Sequence, residues 1–311
     1  MNRPLPSLTH IRGATRVAGL AVIRATEADA ATFLHGQLTQ NVQDMGCGQS
    51  RLAAWCNPQG RMLASFWVYR RAADDILLLC SADLLARTLK RLSMFVLRAQ
   101  VKLTDASADF AIYGLLGETA RALPDGPHGI AIPLPLADGA HRTLLLTAPD
   151  APIPEAPGLA PDIWPWAAVR GGVAMLTAPV AEAFVPQMLN YESVGGVDFK
   201  KGCYPGQEVV ARSQFRGAIK RRAWVARVNA AVQTGQGIFL DSDPAQPAGL
   251  VAQAAPEPGD AVATGGTALI ACLSIAAAQA ALQGSGRLTL GVPDGPALAD
   301  LQRPYPLLED V

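Results

Sequence analysis

Short apolar runs broken by Gly, Pro and Asp recur along most of this chain, and a few stretches carry helical spacing instead. Val17 to Arg24 predicts a strand. Thr26-Glu27-Ala28-Asp29 reads as a helix cap followed by acids. The helix it opens turns Phe33, Leu34 and Leu38 inward, with Gly36 as an irregularity, and Thr39 is placed to cap a second short turn. Residues 51–80 read as antiparallel. Arg51 to Cys56 and Arg61 to Arg70 are strands joined by Asn57-Pro58-Gln59-Gly60, the residue chemistry of a type I turn. Asp74-Asp75 marks the next turn and Ile76 to Cys80 the next strand. Ser81 caps a predicted helix whose Leu85, Leu89, Leu92 and Val96 form a core-facing stripe. Further strands are predicted near 100–103, 109–116 and 143–148.

Five of the thirteen residues from 149 to 161 are proline, which predicts a linker or an extended surface loop. Trp164 and Trp166 then enter a predicted helix ending near Gly171-Gly172. Trp164 suits either core packing or a flat apolar wall for a planar ligand. Past Arg222 the texture changes. Short apolar or alternating runs at 223–229, 237–240, 249–254, 267–273 and 287–292 predict a small barrel, with Ile275 to Leu282 as one alanine-rich helix.

Composition narrows the class. The 311 residues suffice for two or three domains with a sizeable core, and half of them are hydrophobic. No run approaches the roughly 18 apolar residues of a membrane span. The first residues, a loose arm over 1–12, lack the pattern of a signal peptide. Five cysteines, at 47, 56, 80, 203 and 272, form no Cys-x-x-Cys pair. That argues against structural disulfides and a zinc knuckle and fits a reducing cytoplasm. Histidines at 10, 35, 128 and 141 make no metal motif.

Charge singles out one window. The chain balances 26 basic against 26 acidic residues, yet between Phe199 and Arg222 seven cations (Lys200, Lys201, Arg212, Arg216, Lys220, Arg221 and Arg222) face only Glu208. Within it, Gly202 precedes Cys203 and Pro205-Gly206 follows. Pro205 suits the first turn of a helix, and Gln207 and Glu208 continue it. Arg212 and Arg216 share a face at i, i+4. The reading is a tight turn delivering Cys203 ahead of a helix N-terminus, beside two lysines. Such settings lower a thiol pKa from about 8.5 to roughly 3.5–7.5. The competing reading is a buried, inert cysteine.

Phe184-Val185-Pro186-Gln187, then Gly195-Gly196-Val197-Asp198-Phe199-Lys200-Lys201-Gly202-Cys203-Tyr204-Pro205-Gly206-Gln207-Glu208 with Arg212, resembles the YgfZ-type folate-binding, tRNA-modifying family. That family shares the fold of the glycine-cleavage aminomethyltransferase, or T-protein. Phe33-Leu34-His35-Gly36-Gln37-Leu38-Thr39 and Asn57-Pro58-Gln59-Gly60 resemble its N-terminal helix and hairpin turn. The resemblance covers about residues 15–311. It implies an α+β, three-domain cloverleaf around a channel, with a C-terminal antiparallel β-barrel. The expected division is a folate cradle over 1–222, made of interleaved parts (1–45 plus 150–222, and 46–149), and a barrel over 223–311. It implies tetrahydrofolate as cofactor and iron–sulfur client proteins and tRNA as partners, in a cytoplasmic monomer. Cys203 and Lys201 become the expected reactive residues, and Trp164, Tyr204, Gln207, Glu208 and Arg212 the expected cofactor contacts.

Departures from the transferases qualify this. They follow the hairpin turn with Gly-Ile-Ile-Asp-Asp, one carboxylate assisting at the folate nitrogen. Here Ala64 and Ser65 stand in the acids' places. Arg170, before Gly171-Gly172, stands where a transferase glutamate grips the pterin. The expected function is therefore an accessory factor in iron–sulfur enzyme maintenance and tRNA modification. A one-carbon transferase and an RNA-binding protein using residues 200–222 are the alternatives.

Overall fold

The computed structural model describes residues 7–121, 129–151, 156–217, 219–259 and 266–308. The start of the N-terminal arm, residues 152–155 of the proline-rich stretch and His128 lie outside these.

Among the described residues, three antiparallel sheets carry the chain. The strands of the first half are β1 (Gly13–Arg16), β2 (Leu20–Thr26), β3 (Ser50–Cys56), β4 (Met62–Ala72), β5 (Asp75–Ser81), β6 (Lys102–Asp105), β7 (Ala111–Leu116), β8 (Ile130–Ala137) and β9 (Ala140–Thr147). Between them lie helices α1 (Ala30–Gln37), α2 (Leu85–Ser93) and α3 (Glu118–Arg121). Helices α4 (Ile163–Arg170) and α5 (Gln207–Phe215) follow. The last part holds β10 (Arg221–Asn229), β11 (Gly237–Leu240), β12 (Gly249–Pro256), β13 (Gly266–Ser274), α6 (Ile275–Leu282), β14 (Leu288–Leu290) and β15 (Leu298–Gln302). The sheets run β3-β4-β5-β2-β6, β1-β7-β9-β8 and β14-β11-β12-β13-β10-β15.

The hairpin between β3 and β4 forms as its residues dictate. Gly60 N–H donates to the Asn57 carbonyl at 2.9 Å, and Asn57 Oδ1 accepts from Gln59 and Arg61 N–H. The leucine stripe also holds, with Leu92 buried and Leu85, Leu89 and Val96 packed on the core, although α2 ends before Val96.

Several local expectations are corrected. Thr26 ends β2 in register with Asp75, and Asp29 precedes α1 instead. Thr39 caps nothing: its hydroxyl donates to the Gly196 carbonyl and accepts from Ala54 N–H, tying two distant segments. Ser81 gives its hydroxyl to Asp83, and a 3₁₀ turn precedes α2. Strand β8 was unexpected because Pro133 and Pro135 interrupt it. It sits at a sheet edge, where a missing N–H breaks no ladder.

After 221 the predicted runs match β10 to β14, and α6 falls where expected. The sheet is curled, and its edges approach at one isolated bridge, Thr289 to Ala297. Its central strands are buried on both faces. Along β10 and β13, Ala223, Val225, Ile270 and Cys272 face the large core shared with the other sheets. Trp224, Ala226, Val228, Leu269, Ala271 and Leu273 face a second core under α6. The period-2 alternation of a strand thus serves two cores at once. Strand β15 is an exposed edge and carries little apolar pattern, so it was not foreseen.

Candidate functional site

The loop from Lys200 to Gly206 is fastened on three sides. Lys201 turns inward and is buried. Its Nζ donates to the carbonyls of His35 at 2.5 Å and Leu38 at 3.0 Å, capping the C-terminal end of α1. The same ammonium lies 4.8 Å from the centre of the buried Tyr204 ring. Burial pushes its pKa down to about 8, against the opposing pull of Asp198. Asp198 anchors the loop's start, donating its N–H to the Thr39 carbonyl and accepting from Lys200 N–H.

The third fastening joins two turns. Gly206 has φ +80°, and a Cβ there would stand 2.8 Å from Gly60 Cα and collide with the Asn57 carbonyl. Only a bare backbone admits the β3–β4 turn this closely. Left-handed Gly206 also corrects the expected helix start. Pro205 lies in the preceding turn and α5 begins at Gln207. Along α5, Val210 is buried and its carbonyl accepts from Gln187 Nε2 at 2.7 Å.

Three separated stretches, 33–39, 57–60 and 201–206, thus converge beneath Cys203, which is itself exposed. Cys47 is the other exposed thiol, while burial pushes Cys56, Cys80 and Cys272 up to about 12. The basic window divides. Arg222 is buried in an ion pair with Glu192, and Arg212 pairs with Glu208 on the surface of α5. Lys200, Arg216 and Lys220 are exposed.

Trp164 lies elsewhere. It lines a cavity of about 270 Å³ where all three sheets and α4 meet. Val17, Trp67, Leu134, Leu144 and Met175 supply apolar wall; Arg142, Gln253, Thr177 and Ser81 supply polar atoms. Trp164 is itself buried, and a side chain on Gly114 would overlap its ring. Cys203, Lys201, Tyr204, Gln207, Glu208 and Arg212 do not line this cavity. The expected site residues therefore fall into two groups.

Arg142 was not foreseen. It sits on β9, buried, with Nε donating to the Pro135 carbonyl at 3.0 Å and no acidic partner among the described residues. Burial pushes its pKa down to about 10. The guanidinium occupies the space a side chain on Gly171 would need. The available signal was parity, since Arg142 shares a strand face with Leu144 and Leu146, both in the core. Arg170 instead forms a two-bond pair with Asp138, outside this cavity. Ala64 and Ser65 are wholly buried. Ser65 Oγ accepts from Leu176 N–H at 2.8 Å, and among the described residues no carboxylate lines the cavity.

Comparison with known proteins places this geometry. The GCVT N-terminal domain model matches residues 13–125. An uncharacterized protein of Haemophilus influenzae is 30% identical over 225 residues, covering 71% of this chain and 74% of that protein. The tRNA-modifying protein YgfZ of Enterobacter sp. (strain 638) is 31% identical over 230 residues, covering 68% and 70%. That of Cronobacter sakazakii is 31% identical over 235 residues, covering 66% and 68%. Among solved structures, the glycine cleavage system aminomethyltransferase T from Bartonella henselae superposes with a TM-score of 0.63 at 11% identity, covering 96% of this chain and 87% of that one. The fold is aminomethyltransferase-like.

Proposed function

Because this chain belongs to the YgfZ family of tRNA-modifying proteins, we propose that it serves tRNA modification as a tetrahydrofolate-binding accessory protein supporting iron–sulfur enzymes, with Cys203 as its reactive residue. The observation that carries the folate part is Arg142 in its cavity. A buried guanidinium without an acid is costly unless an acceptor completes its donors. A reduced pterin is flat, with apolar faces and polar edges. Trp164 and Trp67 suit the faces, and Arg142 and Gln253 suit the edges. Gln253 Oε1 already accepts from Met175 N–H, so its amide nitrogen is the group left for a ligand. Tetrahydrofolate would supply a ring nitrogen able to carry a one-carbon unit.

The accessory reading is favoured over aminomethyl transfer because no carboxylate among the described residues lines the cavity. General acid–base assistance is worth about 10²–10⁴-fold, and Ala64 and Ser65 offer none. Tyr204, Gln207, Glu208 and Arg212 are assigned to the Cys203 side, where Tyr204 supports Lys201 and α5 carries the rest. Exposed Lys200, Arg216 and Lys220 suit contact with tRNA phosphates. The five unpaired cysteines fit work in a reducing cytoplasm.

Titration with tetrahydrofolate, followed by tryptophan fluorescence and calorimetry, tests the cavity. The expected result is saturable binding in the micromolar range, roughly −8 kcal/mol. No fluorescence change with silent calorimetry would remove folate as the ligand.

A further inference from the structure

We infer that the turn following α2 docks an acidic protein, through Met94, Phe95 and Leu97 bordered by unpaired cations. This rests on the reading that the chain serves other proteins, and names where and by what chemistry such a partner is held. Helix α2 ends at Ser93, and tight turns lead on toward β6. Leu97 is 86% exposed, Met94 69% and Phe95 46%. The backbone holds them there. The N–H groups of Met94, Phe95 and Val96 donate to the carbonyls of Arg91, Leu92 and Ser93 at 3.3, 3.1 and 3.1 Å. Asp29 clamps the far end: its N–H donates to the Gln100 carbonyl at 2.9 Å, and its carboxylate accepts from Gln100 N–H at 2.7 Å. Val96 packs on the core between its exposed neighbours. The Phe95 ring meets the buried Trp55 edge to face, with centroids 6.3 Å apart. A fastened turn that presents three large apolar side chains to water marks a contact surface.

Charge says what covers it. From Leu84 to Thr104 the chain carries five cations and no acid. Arg87 is paired with Glu182, and the Arg91 guanidinium lies 5.9 Å from the centre of the Trp55 ring. Lys90 and Arg98 are exposed, with no acidic partner among the described residues. The rim is therefore positive, and its complement is negative. An apolar centre rich in Met and Phe beside Arg, with a charged rim, is the anatomy of a protein interface.

Other occupants fit less well. A second copy on a two-fold axis would set these cations against themselves. Met94 and Leu97, the most exposed of the three, are aliphatic and give RNA bases no plane to stack on. Anionic lipid is recognised by clusters of about four to eight cations, more than this turn leaves unpaired. The location also suits a client protein. Trp55, beneath Phe95, is bridged through its backbone to Leu38, whose carbonyl accepts from Lys201 Nζ. Direct contacts thus run from the apolar turn to the loop that carries Cys203.

The test places the photocrosslinker p-benzoylphenylalanine at position 97 of the full chain in cells, with exposed Leu282 on α6 as the control position. Light should attach position 97, and not position 282, to an acidic protein. The crosslinked peptides should carry Asp or Glu beside apolar residues. Lys90→Glu combined with Arg98→Glu should lower the yield about tenfold, since like charges then face each other. The captured protein, purified and titrated against the native chain, should bind Leu97→Asp about tenfold more weakly, with the melting temperature of that variant unchanged. Adducts only to RNA, to lipid or to a second copy, no adduct at all, or a yield and affinity indifferent to these substitutions would overturn the inference. Iron and absorbance measurements on the captured protein read the function separately. An acidic partner without an iron–sulfur cluster would support the docking surface and end the iron–sulfur reading instead.

Discussion

The cavity beside Trp164 is closed in by side chains from three sheets and a helix, whereas Cys203 stands on an exposed loop fastened from below. The cavity places Arg142 among apolar walls, its Nε held by the Pro135 carbonyl and with no acidic partner among the described residues. The loop spends its inner cation, Lys201, on the end of α1 and leaves the thiol in water. The first has the features of a binding site, where desolvation strengthens each polar contact. Under the proposed function the second would be the reactive site, where access matters and the support must be rigid. If the proposal holds, substitutions should separate ligand affinity from thiol chemistry.

The largest effect is expected at the thiol. Cys203→Ala should abolish rescue of cells lacking the protein while leaving the melting temperature and tetrahydrofolate affinity nearly unchanged. Reduced affinity in this variant would show that the two regions are one site. Next comes the loop's support. Gly206→Val should destabilise the fold by about 3 kcal/mol, because φ +80° and the Asn57–Gly60 backbone both exclude a side chain. Urea denaturation measures it, and a midpoint matching wild type would mean the two turns do not bear on each other.

A smaller, sharper effect is expected in the cavity. Arg142→Leu should weaken tetrahydrofolate binding about tenfold or more, the loss of one charge-assisted contact. Removing an unpaired buried charge should leave stability equal or raised. Binding at wild-type affinity would exclude Arg142 as the ligand's partner. The same variant should not alter Cys203 alkylation.

The mildest effect concerns pH. Cys56, Cys80 and Cys272 ionise near 9.0 when unfolded and are pushed up to about 12 by burial when folded. Between those values the folded state holds more protons than the unfolded one, so stability falls as pH rises. Lys201, lowered to about 8, contributes in the opposite sense. Urea midpoints should therefore drop between pH 9 and pH 11, and Cys272→Ala should flatten part of the decline. The exposed thiols should alkylate in the native state and these three only on unfolding.

Local chemistry made much of this molecule legible. The hairpin Asn57–Gly60, the leucine stripe of α2, strands β10 to β14 and α6 each carry their signal within their own residues, so periodicity and turn residues sufficed. The contiguous run from Gly195 to Glu208 likewise announced the Cys203 loop. Strands β8 and β15 escaped because edge strands need neither a full set of N–H groups nor an apolar face. Tertiary structure alone decided the rest. Lys201 was visible as a charge, but its burial against α1 depends on a helix more than 160 residues earlier in the chain. Arg142 carried no signal in the sequence reading, and only the packing of β8, α4 and β12 around it makes it part of the cavity. Parting Trp164 from Cys203 was beyond any sequence pattern, because a cavity is the space left between elements and belongs to no segment of the chain.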